Sequence, residues 1–125
     1  MHPARPTLWL VEGLLAYLDE SAAANLFTRI DSVSATGSVA LFDVIGRVLL
    51  ESPWMTAARE FVATLGAPWR FSTDEPETLL GAPGWDTTAH DLGEIGTKLG
   101  RWPFPVAARE VKGTPRSWLV ESIKR

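Results

Sequence analysis

Two apolar runs flank a stretch with helical periodicity, and this order constrains the fold more than any other feature of the chain. The run "TLWLVEG" is bounded by Pro6 and Gly13 and contains Trp9 and Val11. Its length and composition fit a buried strand over residues 7–12 better than a helix. Beyond the turn "GLLAYL", Asp19 is placed to cap a helix in which Ala22, Ala23, Leu26, Phe27, Ile30 and Val33 recur at three- and four-residue steps. This helix has roughly four turns and stops near "SATG", where Gly37 can take the left-handed conformation that helix ends often need. The run "SVALFDVI" then reads as a second strand over residues 38–45, apolar on both alternations as a strand covered on both faces should be. Strand, helix and strand in this order predict a parallel crossover within an open α/β layer.

Further along, Ser52 as cap and Pro53 at the first helical position predict a second helix, with Trp54, Ala57, Ala58, Phe61, Val62 and Leu65 on one face and Gly66 at its end. Asp74 followed by Glu77 has capping-box spacing and predicts a short helix ended by "GAPG". In "WDTTAHDLG", Trp85, Thr87 and Ala89 alternate with Asp86, Thr88 and His90, as in a strand with one wet face. A short helix over residues 92–99, an open loop with Pro103, Pro105 and Pro115, and a last strand "RSWLVESI" complete the chain. The fold expected is thus a mixed sheet of about four strands with flanking helices. Its first strand lacks an outer neighbour, which leaves an apolar edge open to pairing.

Several function classes are disfavoured by composition. Twelve Lys and Arg against fifteen Asp and Glu give a net charge of −3, without the basic patch of a nucleic-acid binder. Cysteine is absent, which removes disulfides, thiolate nucleophiles and thiolate metal sites. The longest apolar runs are interrupted by Glu12 and by Asp43 and Arg47, so no membrane span is expected, and with no signal-peptide pattern a cytoplasmic location is the default. His2 and His90 lack a second ligand at metal-binding spacing. No nucleophile elbow supports a Ser-His-Asp site. The cluster Gly93, Gly96 and Gly100 has the wrong spacing for a phosphate or dinucleotide loop and reads as a loose surface helix.

Glu12 is the sharpest chemical feature. In an open α/β sheet ligands sit beyond the carboxyl ends of the strands, where a carboxylate can accept from ribose hydroxyls or an ammonium group. The competing reading makes Glu12 an acid favoured by the dipole of the following turn. Asp43, near the end of the second strand, either faces the same cleft or caps its own following turn.

The segment "PARPTLWLVEGLLAYLDESAAANLFTRIDSVSATGS" resembles the leucine carboxyl methyltransferase family, in particular its bacterial branch of S-adenosylmethionine (SAM)-dependent methyltransferases. The resemblance lies in Pro6, Thr7 and Trp9, then Glu12, Gly13, Leu14, Leu15, Tyr17 and Leu18. It continues in "FSTDEPETLLGAPGWD" and "PRSWLVESIKR". It implies a class I, Rossmann-like methyltransferase fold of strand order 3-2-1-4-5-7-6, with residues 1–125 forming one partial domain, the C-terminal half, that supplies strands 4 to 7.

By the same resemblance the cofactor is SAM, Glu12 and Tyr17 face the cofactor pocket, and the chemistry is O- or carboxyl-methylation of an acceptor the chain does not specify. For Tyr17, core packing with a bonded hydroxyl is the alternative. The family's glycine-rich SAM loop lies upstream of the matching region. The expectation is therefore a truncated or split fragment, inactive alone and completed by a separate N-terminal half. The alternative is a non-catalytic α/β interaction module that pairs through its first strand, with another copy or another chain. No catalytic residue is assigned, because methyl transfer from a sulfonium depends mostly on positioning the nucleophile.

Overall fold

The computed structural model describes residues 4–81 and 84–125. His2 and the Ala82–Pro83 part of the expected helix stop lie outside the described residues. Strand β1 (Leu8–Val11), helix α1 (Glu20–Val33) and strand β2 (Val39–Ile45) form the crossover, and β1 and β2 are parallel. Two short helices follow, α2 (Arg47–Glu51) and α3 (Thr56–Thr64), then β3 (Trp85–Asp91), α4 (Leu92–Lys98) and β4 (Ser117–Lys124). The sheet order is β1-β2-β4-β3, with β4 antiparallel to both neighbours. This is the 4-5-7-6 order that the resemblance implies. Among the described residues β1 pairs only with β2, so its other edge is open.

Helix α1 forms as its sequence dictates. Asp19 accepts a 2.7 Å hydrogen bond from the Ala22 N–H, satisfying one of the unpaired donors of the first turn. Ala23, Phe27 and Ile30 are buried against Phe42, Val44 and Val120 of the sheet. The Phe27 and Phe42 rings meet at 4.9 Å between centroids. At the other end of the helix Asp31 accepts from Lys124 Nζ at 2.9 Å and from Trp85 Nε1 at 2.8 Å, joining α1 to β4 and β3. These bonds to the charged form, with the lysine charge beside it, hold the Asp31 carboxyl below its ordinary range.

All of this packing lies on one side of the sheet. Along β2 burial alternates, with Ala40, Phe42 and Val44 buried and the residues between them only partly covered. The second strand is therefore covered on one face, not on both. The other side carries Leu8 and Leu10, 67% and 68% exposed, with Leu41, Leu119 and Ile123 beside them. The alternation in β3 places Trp85, Thr87 and Ala89 toward the core and Asp86, Thr88 and His90 outward, as read from the sequence.

Three local expectations need correction. Ser52 donates to the Leu49 carbonyl and caps nothing, because the chain forms α2 first and then a 3-10 turn at Pro53–Met55. In α3 no residue is buried, and Trp54, Phe61 and Leu65 are exposed. Asp74 makes no capping box; the segment yields a 3-10 turn at Pro76–Thr78, in which Glu77 pairs with Arg109. The glycines of α4 also prove to be packed. A Cβ at Gly96 would stand 3.0 Å from the Trp102 side chain, and one at Gly93 3.2 Å from Trp102 Nε1. They form the smooth face on which Trp102 lies.

Candidate functional site

Glu12 directly follows β1, and extending the parallel register by one residue sets it opposite Asp43. Asp43 is paired in turn with Leu119, and Leu119 with His90. Register partners share a face, so one row crosses the open side of the sheet from Glu12 to His90 at the carboxyl ends of β1, β2 and β3. With neighbouring strands about 4.8 Å apart, that row spans roughly 14 Å. A shallow groove of ≈ 730 Å³ follows it, lined by Leu10, Glu12, Leu41, Asp43, His90 and Leu119 among others.

The groove is built by backbone geometry more than by a charged network. Gly13 takes φ +62, a turn that a side chain would strain, and its N–H donates to Asp43 Oδ1 at 2.7 Å. Asp43 thus ties the end of β1 to β2. It does not cap its own turn, where Gly46 carries no side-chain cap. Glu12 is exposed and has no hydrogen bond or ion pair from its side chain among the described residues. Glu12 stands two residues before Leu14, which caps the 3-10 turn Leu15–Tyr17, and so lies outside that turn. Its carboxylate remains available to a ligand.

Tyr17 has a different position. It ends the 3-10 turn Leu15–Tyr17, is 43% exposed, and is not among the residues lining the groove. That turn is anchored by buried Leu15 and by the Ala16 carbonyl, which accepts from the Arg70 N–H at 2.6 Å. Sequence reasoning brought Glu12 to the groove but set His90 aside, having weighed it only as a metal ligand. The strand pairing is the signal that joins His90 to Asp43 and Glu12. Among the described residues no three His, Asp or Glu side chains gather as a metal-holding group. No described helix is long and apolar enough to cross a membrane.

Beside the groove, a loop over residues 99–116 is held by a buried ion pair. Arg116 Nη1 donates to Asp91 Oδ2 at 2.5 Å and to the Ala107 carbonyl, and Nη2 donates to the Ala108 carbonyl. Asp91 Oδ1 accepts from the Gly93 N–H at the start of α4. Arg109 stacks over the buried Trp118 ring at 4.1 Å. The loop is therefore fixed at the same end of the sheet as Glu12.

The family model for leucine carboxyl methyltransferase matches residues 1–31. A Streptomyces avermitilis protein named "Putative S-adenosyl-L-methionine-dependent methyltransferase/SAV474" is 32% identical over 124 residues, covering 98% of this chain and 42% of the relative. A Mycobacteroides abscessus protein of like name is 33% identical over 133 residues, covering 94% and 43%. The chain belongs to the leucine carboxyl methyltransferase-like family of bacterial proteins. It spans about two fifths of the length of these curated relatives. Among solved structures, a Thermobifida fusca protein described as a "putative methyltransferase" matches all of this chain over 46% of its own, with TM-score 0.61 and 20% identity. A DUF574 family protein from Streptomyces avermitilis matches over 47% of its own length, with TM-score 0.65 and 17% identity. At these identities the likeness is one of fold. The Rossmann-like α/β arrangement expected from the resemblance is the arrangement present.

Proposed function

We propose that this chain forms one wall of the cofactor and acceptor cleft of a SAM-dependent methyltransferase that acts on an oxygen or carboxyl group. The observation that carries this reading is the position of Glu12: an exposed, unengaged carboxylate at the carboxyl end of β1, on a groove with apolar Leu10 and Leu41 beside it. Family membership supports the cofactor. The residues fit one side of SAM, since a carboxylate suits its ribose hydroxyls or ammonium group and leucines suit its flat apolar surface. SAM supplies an electrophilic methyl group when bound. Glu12 would hold and orient it, Asp43 fixes the Gly13 turn, and the leucines exclude water. Tyr17, outside the groove lining, belongs to this site only through the resemblance, and its part is to support the turn after Glu12.

The groove is open on the side of β1, where Leu8 and Leu10 face solvent. A one-walled site buries little of a ligand, and its affinity is correspondingly weak. The 125 residues therefore act as a partial domain, the C-terminal half, that needs further sheet against β1 to turn over substrate. Calorimetric titration of the 125-residue chain with SAM tests the reading. The expected result is millimolar binding, weakened further in Glu12→Ala. Micromolar binding would overturn the one-wall claim, and equal binding by Glu12→Ala would remove Glu12 from the site.

The same open edge supports a second reading, a non-catalytic module whose first strand pairs with another copy or another chain. Sedimentation separates the two. A chain that stays monomeric at high concentration, with or without SAM, argues against self-pairing.

A further inference from the structure

Next to the groove lies a second cavity of ≈ 520 Å³, within the usual range for a small-molecule site of about 300–1,000 Å³. Its walls come from three separate segments at the carboxyl end of the sheet: Leu49 and Trp54 after β2, Leu92 after β3, and Trp102 and Phe104 in the loop before β4. Leu92 and Ser117 line both the cavity and the groove, so the two spaces are continuous in their lining.

Two aromatic side chains are left bare here, beside a third that is partly packed. Trp54 is 77% exposed and Phe104 66%, while Trp102 meets Phe104 edge-on at 5.9 Å. The wall is fixed at Trp102 and the loop that carries it. Trp102 lies on the Gly93 and Gly96 face of α4, and the Arg116 bonds to the Ala107 and Ala108 carbonyls hold the loop beyond it. The Trp102 side of the wall is thus preorganised for a partner and loses little freedom on binding. The charge of the cavity narrows the partner further. Its only charged lining residues are Asp91 and Arg116, which neutralise each other, and the Arg116 guanidinium already serves a carboxylate and two carbonyls. A ligand carboxylate here would lose its water without gaining a free cation.

We propose that this cavity binds an uncharged planar ring, and that the ring is the body of the methyl acceptor. The acceptor is then an aromatic hydroxyl compound whose oxygen lies toward the groove at Leu92 and Ser117; its O–CH3 bond would form as the S–CH3 bond of SAM breaks, and its hydroxyl proton would pass to the water of the open groove. The assignment to the acceptor rests on the methyltransferase reading above. Ring binding itself does not depend on SAM.

The test is titration of the 15N-labelled 125-residue chain with 2-naphthol, with 2-naphthoate as the charged comparison, followed by NMR. Saturable shifts are expected at the indole N–H groups of Trp54 and Trp102 and at the Gly93 amide. Trp54→Ala and Phe104→Ala should each weaken binding about threefold to tenfold. Both residues are exposed, so neither variant endangers the fold. Phe61→Ala, on α3 outside the cavity, should change nothing, and 2-naphthoate should bind at least about tenfold more weakly. Non-saturating shifts, shifts spread equally to Phe61 and Trp69, equal binding of 2-naphthoate, or unchanged binding in both cavity variants would each overturn the proposal. A parallel SAM titration separates the failures. Lost ring binding with the Glu12 and Gly13 response to SAM intact sinks this inference alone, whereas ring binding without that response sinks the acceptor assignment with the methyltransferase reading.

Discussion

The Gly13 N–H donates to Asp43 Oδ1 across 2.7 Å, and this one bond closes the ends of two parallel strands at the point where the candidate site begins. Asp43→Ala removes the acceptor and should cost about 1 kcal/mol in a denaturant unfolding experiment. Exchange of the Gly13 amide with deuterium should accelerate by more than the global loss of stability explains. Asp43→Asn keeps an oxygen acceptor and should retain most of the protection. Equal loss in both variants would mean that charge, not the hydrogen bond, holds the turn.

Gly46 tests how closely β2 and the loop before β4 approach. A Cβ there would meet the Arg116 carbonyl oxygen at 2.5 Å, while the Gly46 N–H donates to that same oxygen at 2.8 Å. Backbone must shift to accept even one methyl group. Gly46→Ala should destabilise by about 1–3 kcal/mol, the usual range for overpacking, and a stability equal to the parent would show that the crossing is loose.

The Asp91–Arg116 pair is buried, with both side chains less than a tenth exposed. Arg116→Met leaves an unpaired buried carboxylate and should cost about 3–5 kcal/mol. Asp91→Asn combined with Arg116→Met should lose less than the two single changes added together. Additive losses in the double-mutant cycle would contradict direct coupling.

The strand pattern, α1 with its Asp19 cap, the wet face of β3 and the last strand were all legible because each is set by local periodicity or a local cap. Sheet order was reachable only through the family resemblance, since periodicity does not say which strand lies beside which. The misread places are those where a neighbouring turn or a partner outside the element overrules a local signal. Ser52 and Asp74 have the right spacing for caps, but the chain turns there into 3-10 geometry. The glycines of α4 looked loose because their partner, Trp102, follows them in a loop without periodicity. Glu12 was visible as an acid in an apolar run. Asp43 was readable as facing the same cleft, but its place opposite Glu12 and the addition of His90 needed the strand register.

The one-sided core gives a sharp contrast. Leu10→Ser, on the open face, should leave stability within about 0.5 kcal/mol, whereas Phe42→Ala, buried beneath α1, should cost about 3–5 kcal/mol. Similar losses at both positions would show that the open face is covered in solution.

Acid should weaken the attachment of α1 to β4. Asp31 has its carboxyl lowered by the Lys124 and Trp85 hydrogen bonds and the Lys124 charge. A lowered folded value contributes stability above the ordinary aspartate range and loses it as pH falls through the folded value. Below about pH 4 the parent should therefore lose stability faster than Asp31→Asn, and the two should converge at the acid end. Parallel curves would remove Asp31 from the pH response.

The central claim is that Glu12 and its row form one wall of a SAM site. Titrating SAM into the 15N-labelled chain and mapping the amide shifts tests it most directly. The account predicts weak, millimolar binding with its largest shifts at Glu12, Gly13 and Asp43, reduced in Glu12→Ala. Shifts centred elsewhere, or no response at several times the expected dissociation constant, would contradict it.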